Sequence, residues 1–275
     1  MDSKWVSIVS TSGAAMDYSE KVILITGASS GIGRATALAL GRHNNKIILT
    51  ARRAPLLEAA AQEITSAGSE CLYFAGDATD AAHADRVIGA ILERYGRIDI
   101  AILNVGIGPP SNTLTASREK IRLCMEANYY SMINFYVPLI DQMKKQSGPC
   151  MISHINSLAT YFGIPMQGDY TAAKGAARLF LETARMELAH FGINHIKIQT
   201  CHPGFVDTKA VRDDGIPAPN EISEAQAARY ILKGIKKEAG ENRFPFATAC
   251  MTRLGRIAPL WLRTKILLAE TPGKY

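Results

Sequence analysis

The sequence has few cysteines, no long apolar run and no clustered metal ligands. None of its apolar runs reaches the roughly 18 residues of a membrane-spanning helix, so no such helix is expected. The five cysteines are scattered without a CxxC pair, and the six histidines show no HExxH spacing. These patterns favour reduced, mostly buried thiols over a disulfide framework, and they argue against a metal site.

The composition is that of an ordinary globular protein. Of the 275 residues, 47% are apolar and 20% are charged, which is too apolar for a disordered chain. The apolar run at Trp5–Val9 is too short for a secretory signal. Residues 1–19 are therefore predicted to be a flexible leader, residues 20–275 to be one domain, and the protein to be cytoplasmic.

The net charge of +6 is concentrated near the C-terminus. Residues 229–275, the basic tail, hold ten Lys and Arg against three Asp and Glu. A nucleic-acid-binding surface would spread its cations over a core face, so no nucleic acid is expected as a partner. Pro259 is expected to divide the tail into two short helices. The tail is interpreted as a lid or a subunit contact, and attachment to an anionic membrane surface is possible but not favoured.

Short apolar runs alternate with helical segments along the chain. Strands are predicted at 22–25, 46–50, 71–74, 98–103, 150–155 and 196–200. Helices are predicted at 34–41, 56–67, 81–95, 117–145 and 169–190, with a kink at Pro138. This alternation predicts an α/β fold, a single Rossmann-like doubly wound parallel sheet with helices on both faces. The segment 207–219 is predicted to be a loop that closes over a substrate.

A glycine-rich turn, TGASSGIG, follows the first predicted strand. Gly27, Gly31 and Gly33 have the spacing G-x-x-x-G-x-G. Glycine lets the backbone approach a phosphate closely, and the next helix directs its N-terminus at that anion. The turn therefore predicts a site for the phosphates of a dinucleotide, formed by the glycines with Ser29, Ser30 and Ile32.

The turn and several later motifs resemble the short-chain dehydrogenase/reductase superfamily. The later motifs are GDATD at 76–80, NVG at 104–106, YTAAK at 170–174 and PG at 203–204. Two departures from the family pattern are Val105, where NAG is usual, and Asn156, where a serine is frequent. Besides the glycine turn, the resemblance implies contacts with the nucleotide from Asp77, Ala78, Asn104, Gly106, Tyr170, Lys174, Pro203, Gly204, Val206 and Thr208.

The resemblance also implies a catalytic group of Asn128, Ser157, Tyr170 and Lys174. Tyr170 and Lys174 are four positions apart and would share one face of a helix. The neighbouring ammonium is expected to lower the pKa of Tyr170, which acts as general acid or base. Ser157 is expected to hydrogen-bond the substrate oxygen. Asn128 would continue a proton relay, and the alternative is a helix asparagine that satisfies a backbone group.

The end of the second strand indicates the choice of nucleotide. An acidic residue about 20 positions after the glycine turn would bind the ribose 2′-hydroxyl and repel a 2′-phosphate. This sequence has Arg52 and Arg53 there, whose guanidinium groups offer forked donors to a phosphate. NADP(H) is therefore predicted in preference to NAD(H), and the alternative is that both arginines cap a surface turn.

The residues beside the catalytic motifs favour a hydrophobic carbonyl compound or secondary alcohol. They are apolar or aromatic and include no Arg or Lys: Ile107, Leu158, Tyr161, Phe162, Ile164, Pro165 and Phe205. The predicted function is hydride transfer between NADP(H) and such a substrate. The alternatives are a 3-oxoacyl-thioester reductase and a non-catalytic NADP sensor.

The resemblance also implies a homodimer or homotetramer formed by the helices at 117–145 and 169–190. These helices carry more apolar residues than one sheet face requires: Met125, Tyr129, Met132, Phe135, Leu179, Phe180 and Met186.

Overall fold

The computed structural model describes residues 16–209, 220–269 and 271. The strands in chain order are β1 (Val22–Thr26), β2 (Lys46–Ala51), β3 (Glu70–Ala75), β4 (Ile100–Leu103), β5 (Cys150–Ile155), β6 (Ile196–Pro203), β7 (Val206–Asp207), β8 (Ile222–Ser223) and β9 (Glu241–Phe244). Strands β7 and β8 form a small parallel pair. The other seven form one parallel sheet in the order 3-2-1-4-5-6-9, which confirms the predicted doubly wound fold.

Helices cover both faces of this sheet, as predicted. They are α1 (Gly31–Leu40), α2 (Ala54–Ser66), α3 (Ala81–Tyr95), α4 (Arg118–Met125), α5 (Ser131–Met143), α6 (Gly168–His190), α7 (Glu224–Lys236), α8 (Phe246–Ile257) and α9 (Leu260–Ala269). Helices α3, α5 and α6 share one apolar core with the sheet, and α1, α2 and α7 share the other.

Strand β1 shows how the two cores are divided. Ile23 and Ile25 belong to the core beneath α1, α2 and α7, whereas Leu24 belongs to the core beneath α3, α5 and α6. Successive side chains of a strand point to opposite faces, so a strand covered on both sides is apolar throughout. All five residues of β1 are buried, which explains why apolar runs identified the central strands.

Strand β9 was not predicted. Its sequence, ENRF, contains one buried apolar residue, Phe244, so no apolar run marks it. Its polar side chains have distant partners: Asn242 Nδ2 donates to the Tyr230 carbonyl at 2.9 Å, and Glu241 accepts from Arg185 at 2.5 Å. The position of β9 therefore depends on tertiary contacts that a local sequence pattern does not contain.

The long helical stretch predicted over 117–145 is confirmed over residues 118–143, with an irregularity that was not predicted. A π-helical turn at Glu126–Tyr130 separates α4 from α5, and Pro138 lies inside α5 rather than at the interruption. Within the turn, Asn128 is fully buried and its Nδ2 donates to the Cys124 carbonyl at 2.9 Å. Single π-helical turns are frequent at functional sites, and this one places Asn128 at the site described below.

The prediction for the N-terminal residues is wrong where the structure describes them, whereas the predicted break near the C-terminus is confirmed. Residues 16–19, assigned to a flexible leader, pack on the fold: Met16 is buried, and the Tyr18 ring meets His43 edge-on at 5.0 Å. Within the tail, residues 246–269 form α8 and α9, which are separated by the extended residue Ala258. This confirms the break at Pro259. Residues 1–15 and most of the predicted loop, 210–219, lie outside the described residues.

Two findings concern the chain as described. None of its helices has the length and apolar character needed to span a bilayer. All five cysteines are free thiols, and Cys124, Cys150 and Cys201 are buried, which confirms the prediction of reduced, mostly buried thiols.

Candidate active site

The predicted site residues converge at the carboxyl ends of the central strands. The glycine turn follows β1, Asn104 follows β4, Ser157 follows β5, and Pro203 ends β6. In open parallel sheets, ligands bind at this edge where the strand order reverses, here between β1 and β4. A cavity of about 1070 Å³ opens at the edge and is lined by site residues from several elements, including Ile32, Asn104, Gly106, Asn128, Ser157, Tyr170, Lys174, Pro203, Gly204, Val206 and Thr208.

The backbone of the turn requires glycine at Gly27, Gly31 and Gly33. Gly27 and Gly31 have φ angles of +64° and +62°, in the left-handed region that favours glycine. A Cβ on Gly33 would lie 2.5 Å from the Gly27 carbonyl oxygen, so any side chain there would displace the turn. Asn104 Nδ2 donates to that same oxygen at 3.2 Å. The turn is thereby held at the N-terminus of α1, an arrangement that fits the phosphates of a dinucleotide.

Arg53 extends from the end of β2 back to the glycine turn. Its Nη2 donates to Ser29 Oγ at 2.9 Å and to Ser30 Oγ at 2.5 Å. Arg52 is exposed beside Asp77, whose pKa is lowered chiefly by a hydrogen bond from the Thr79 backbone and also by the Arg52 charge. The Arg53 guanidinium therefore lies against the glycine turn, whereas Arg52 lies near the Asp77 carboxylate.

Asp77 and Ala78 lie at the end of β3, away from the cavity wall. Asp77 Oδ1 accepts from the Thr79 amide at 2.9 Å, and the Ala78 carbonyl accepts from Asn134 Nδ2 at 3.0 Å. The structure therefore places both at the same carboxyl edge of the sheet, next to β2 and its arginines. Their role in nucleotide binding stays a prediction.

The three predicted catalytic side chains Ser157, Tyr170 and Lys174 lie together. The Tyr170 phenol and the Ser157 hydroxyl lie close enough for Ser157 to lower the pKa of the phenol. Lys174 is 3% exposed, its Nζ donates to the Ile155 carbonyl at 3.0 Å, and the same Nζ lies 6.0 Å from the centre of the Tyr170 ring. Ser157 Oγ accepts from the Ala159 amide at 3.1 Å, which fixes the hydroxyl at the start of the turn after β5.

The predicted lowering of the Tyr170 pKa is wrong for this structure. Burial raises the pKa of Tyr170, and the nearby Ser157 hydroxyl offsets only part of that rise. Burial also lowers the pKa of Lys174 to about 8, so near neutral pH a fraction of its amine is uncharged. Since this amine is directed at the Ile155 carbonyl, its charge does not overcome the burial of the phenol. Tyr170 is therefore held as the protonated phenol at neutral pH.

Asn128 makes backbone hydrogen bonds. Its Oδ1 accepts from the Ile107 amide at 3.1 Å, and its Nδ2 donates to the Ile107 carbonyl at 2.8 Å. These contacts agree with the structural alternative for this residue, because they fix the segment after β4 that forms a cavity wall. A Cβ on Gly106 would lie 2.7 Å from Asn128 Oδ1 and 3.0 Å from Lys174 Nζ. Asn128 Oδ1 and Lys174 Nζ thus both lie next to Gly106, and the proton relay through Asn128 stays a prediction.

The tail forms the outer wall of the cavity. Its lining residues come from α8, α9 and the link between them, and they include Met251, Leu254, Leu262, Arg263, Ile266 and Leu267. This position is that of the predicted lid. The expectation of a wall without Arg or Lys is wrong, because Arg263 lines the cavity with its guanidinium 5.2 Å from the Phe162 ring centre. A distant basic residue escapes a search confined to the neighbours of the catalytic motifs.

Tyr161 was expected in the cavity wall, but its side chain belongs to a polar cluster behind the site. Tyr161 donates to Glu241 Oε2 at 3.1 Å and accepts from Arg243 Nε at 2.6 Å. Arg185 Nη2 donates to Glu241 Oε1 at 2.5 Å. The other six predicted wall residues line the cavity, as expected.

His202 connects this cluster to the catalytic serine, and sequence reasoning missed it. Its Nδ1 is 3.1 Å from the Ser157 carbonyl oxygen, and its Nε2 is 2.8 Å from Glu241 Oε2. A carbonyl oxygen only accepts hydrogen bonds, so the imidazole donates from Nδ1 to Ser157 and contacts the Glu241 carboxyl group through Nε2. His202 precedes Pro203, but its partner Glu241 lies 39 residues further along, so no local pattern marks the pair.

Comparison with known proteins gives the family. A family model described as short chain dehydrogenase matches residues 21–216. An uncharacterised oxidoreductase of Myxococcus xanthus is 28% identical over 246 residues, which cover 90% of this chain and 95% of the relative. A 3-oxoacyl-[acyl-carrier-protein] reductase of Synechocystis is 31% identical over 189 residues, covering 68% and 75% of the two chains. The chain belongs to the short-chain dehydrogenase family.

Solved structures agree with this assignment. An alcohol dehydrogenase of Thermococcus sibiricus, complexed with 5-hydroxy-NADP, has a TM-score of 0.73 at 27% identity and covers 82% of this chain and 94% of its own. A short-chain dehydrogenase/reductase of Burkholderia phymatum, complexed with NAD, has a TM-score of 0.80 at 21% identity and covers 94% and 99%. The protein is thus an oxidoreductase of alcohol or carbonyl groups that uses a nicotinamide dinucleotide.

The Glu241 cluster predicts a specific dependence of stability on pH. Burial opposes ionisation of Glu241, but the hydrogen bond and charge of His202 and the charges of Arg185 and Arg243 outweigh it and hold the pKa at about 2. Because the folded pKa lies below the ordinary 4.5, the stabilisation is full above pH 4.5 and is lost as the pH falls towards 2. Glu241→Gln should therefore lower the free energy of unfolding at neutral pH by about 2–3 kcal/mol.

Urea unfolding of wild type and variant at a series of pH values measures this difference. The two proteins should converge in stability as the pH falls through the range between 4.5 and 2. Glu93→Gln, which removes an exposed carboxylate from α3, is the matched control and should change little. A Glu241→Gln effect that did not vary with pH would contradict the interpretation.

Proposed function

We propose that this protein is an NADP(H)-dependent reductase of hydrophobic carbonyl compounds, with Tyr170 as the general acid. The observation that carries the proposal is the grouping of Ser157, Tyr170 and Lys174 at the inner wall of a largely apolar cavity. Pockets with an apolar wall and a few convergent polar groups orient an apolar substrate by its reactive group. A carbonyl oxygen directed at Ser157 and Tyr170 would meet both hydroxyl groups.

The chain's own groups account for the proton part of the reaction. Ser157 Oγ accepts the Ala159 amide, which leaves its hydroxyl proton for a hydrogen bond to the carbonyl oxygen. Tyr170 gives its proton to that oxygen, and the new alcohol O–H bond forms as the phenol becomes phenolate. Lys174 lies close enough to favour the developing negative charge. A reduced nicotinamide, when bound, supplies the hydride to the carbonyl carbon.

The protonation of Tyr170 favours reduction at neutral pH. A buried phenol whose pKa is raised is already the acid that carbonyl reduction needs. Oxidation of an alcohol would need the phenolate, which forms only at higher pH. Near neutrality Tyr170 is therefore in the protonation state from which carbonyl reduction starts.

The preference for NADP(H) is supported by the rim of the glycine turn. Arg53 donates to Ser29 and Ser30, and Arg52, the preceding residue, is exposed near Asp77. No acidic side chain occupies the end of β2, where one would repel a 2′-phosphate. The Thermococcus sibiricus structure contains an NADP derivative and the Burkholderia phymatum structure contains NAD, so the family accommodates both nucleotides.

The 3-oxoacyl-thioester reductase is a second candidate, favoured by one relative and one residue. The Synechocystis relative has that activity in its name. Arg263 places a guanidinium in the otherwise apolar outer wall of the cavity. This cationic donor would suit the phosphorylated carrier of an acyl thioester. Turnover of NADPH with acyl thioesters and with simple hydrophobic ketones separates the two candidates. A pure sensor is disfavoured because Ser157, Tyr170 and Lys174 are all present and line the same cavity.

An oligomer is proposed from the helices beside the site. Of the apolar residues expected on the surface, Met132 and Phe135 lie in the core, whereas Leu179 and Met186 on α6 are 56% and 60% exposed. The exposed residues Tyr130 and Val137 add to an apolar surface on α5 and the turn before it. Exposed apolar surface of this kind marks an interface, here with a second copy.

Tyr170→Phe should abolish hydride transfer while the dinucleotide still binds. The variant loses only the proton donor, and general acid–base groups contribute roughly 10²–10⁴-fold to the rate. NADPH oxidation with a panel of hydrophobic ketones measures the loss, and thermal shift with NADPH measures binding. Tyr73→Phe, an exposed tyrosine of β3, is the matched control. Retention of more than about a hundredth of the wild-type rate would refute the role of Tyr170.

Arg52→Ala combined with Arg53→Ala should weaken NADPH binding far more than NADH binding. Charge-assisted hydrogen bonds contribute about 1.5–3 kcal/mol each, so the affinity ratio should change tenfold or more. Titration calorimetry with both nucleotides gives the ratio. Arg42→Ala, an exposed arginine at the opposite end of α1, should leave it unchanged. An unaltered ratio in the double variant would place the phosphate contact elsewhere.

Leu179→Glu combined with Met186→Glu should convert the oligomer to monomers. Each substitution would place a carboxylate in the proposed interface, where burial of an unpaired charge is costly. Sedimentation velocity at micromolar protein measures the change, and Leu114→Glu, at a 91% exposed position before α4, is the control. Wild-type protein that sediments only as a monomer would defeat the proposal.

A further inference from the structure

Helices α8 and α9 present a second apolar surface on the side away from the cavity. Neither helix has a buried residue. The residues of this outer face are 56–80% exposed and do not line the cavity; we refer to Phe246, Ile257, Leu260, Trp261 and Leu268 together as the outer patch. Large contiguous apolar areas on a soluble surface mark sites of interaction.

The charge around the outer patch has one sign. Residues 244–269 contain four basic side chains and no Asp or Glu. Arg253 and Lys265 are exposed among the apolar residues, while Arg263 faces the cavity and the Arg256 guanidinium lies 5.8 Å from the centre of the Tyr161 ring. Interleaved cations and exposed Trp, Leu and Ile are the combination that binds the headgroup region of an anionic bilayer.

A second copy of the same face fits this surface poorly. Two such faces in contact would bring their cations together without any acidic partner from residues 244–269, and like charges opposed in an interface are destabilising. The apolar surface on α5 and α6, described above, lies on other helices. A suitable binding partner for the outer patch is therefore negatively charged and also has an apolar region into which the exposed side chains can insert.

The two sides of the helices have different partners. Met251, Leu254, Leu262, Ile266 and Leu267 face the cavity, and the outer patch faces away from it. This explains why α9 is apolar almost all round although no residue of it is buried. The helices would then lie between the cavity and whatever the outer patch contacts.

We propose that the outer patch docks on an anionic membrane surface, and that the substrate is a lipid-like carbonyl compound that enters the cavity from that surface. The docking rests on the patch alone. The statement about substrate rests also on the proposed function, because it assigns the apolar cavity to the reacting molecule.

Trp261 allows a direct test of docking. The chain has two tryptophans, so a Trp5→Phe protein reports Trp261 fluorescence alone. Vesicles of phosphatidylcholine containing phosphatidylglycerol should shift this emission to the blue, and acyl-chain-brominated lipid should quench it. Pure phosphatidylcholine vesicles should have a much smaller effect. Raising the salt to about 1 M should weaken binding, because the Debye length falls to about 3 Å.

Two outcomes of the fluorescence experiment would overturn docking. One is an unchanged emission spectrum at every lipid concentration. The other is a blue shift that appears without vesicles and grows with protein concentration, since that result would assign the patch to a second copy.

Charge variants separate the patch from the net charge of the protein. Arg253→Gln combined with Lys265→Gln should lower the vesicle partition coefficient by about 25-fold, or about fivefold for each cation. Arg42→Gln combined with Lys120→Gln removes the same charge from exposed positions on other elements and should have little effect. Equal losses in both double variants would contradict a specific surface. Sedimentation with the vesicles measures the partition coefficient in each case.

The two parts of the inference fail separately. Vesicle binding is measured without nucleotide or carbonyl compound, so it is independent of catalysis. Turnover of a water-soluble ketone without vesicles tests the proposed function alone. If docking holds, a long-chain ketone supplied in anionic vesicles should be reduced faster by wild type than by Trp261→Ser, while both reduce the water-soluble ketone equally. Equal rates on the vesicle-borne ketone would overturn the proposed route of entry.

Discussion

The attachment of α6 to the end of β5 is the constraint on which the site depends. Lys174 Nζ donates to the Ile155 carbonyl at 3.0 Å, and Asn156 Nδ2 donates to the Lys174 carbonyl at 3.0 Å. These two bonds join the helix that holds Tyr170 to the strand that ends at Ser157. Asn156, which departs from the family pattern, is therefore a structural link: its Oδ1 also accepts the Ser157 amide at 2.8 Å. The separation between Tyr170 and Ser157 therefore depends on hydrogen bonds from the Lys174 and Asn156 side chains to the backbone.

A second set of contacts holds the serine from behind. His202 donates to the Ser157 carbonyl, and Glu241 fixes the imidazole from strand β9 at the sheet edge. The cluster links β6 and β9 to the turn after β5, so the edge strand contributes to the position of a catalytic group that it does not touch. Preorganisation of this kind is valuable because a hydroxyl that stabilises developing charge acts best when it need not move.

Sequence reasoning identified the fold and named candidate catalytic side chains that the structure brings into one cavity, because both depend on local patterns. Buried strands such as β1 are apolar at every position, and the glycine turn and YTAAK have fixed spacings. It missed β9 and the pair of His202 and Glu241, whose polar residues are satisfied across long sequence separations. It also gave the wrong direction for the Tyr170 pKa, because the burial that raises it depends on packing and not on the i, i+4 neighbour.

The absence of buried residues in α8 and α9 has a consequence for how the cavity exchanges its contents. Segments with few buried apolar contacts open locally at a small fraction of the free energy of global unfolding. Both apolar cores lie on the sheet and its main helices, so the outer wall can separate from the rest without breaking either core. Molecules wider than the static mouth can then pass, while Ser157 and Tyr170 stay in register. The helices that would admit the substrate, α8 and α9, therefore have a lower local stability than the sheet and helices that hold Ser157 and Tyr170.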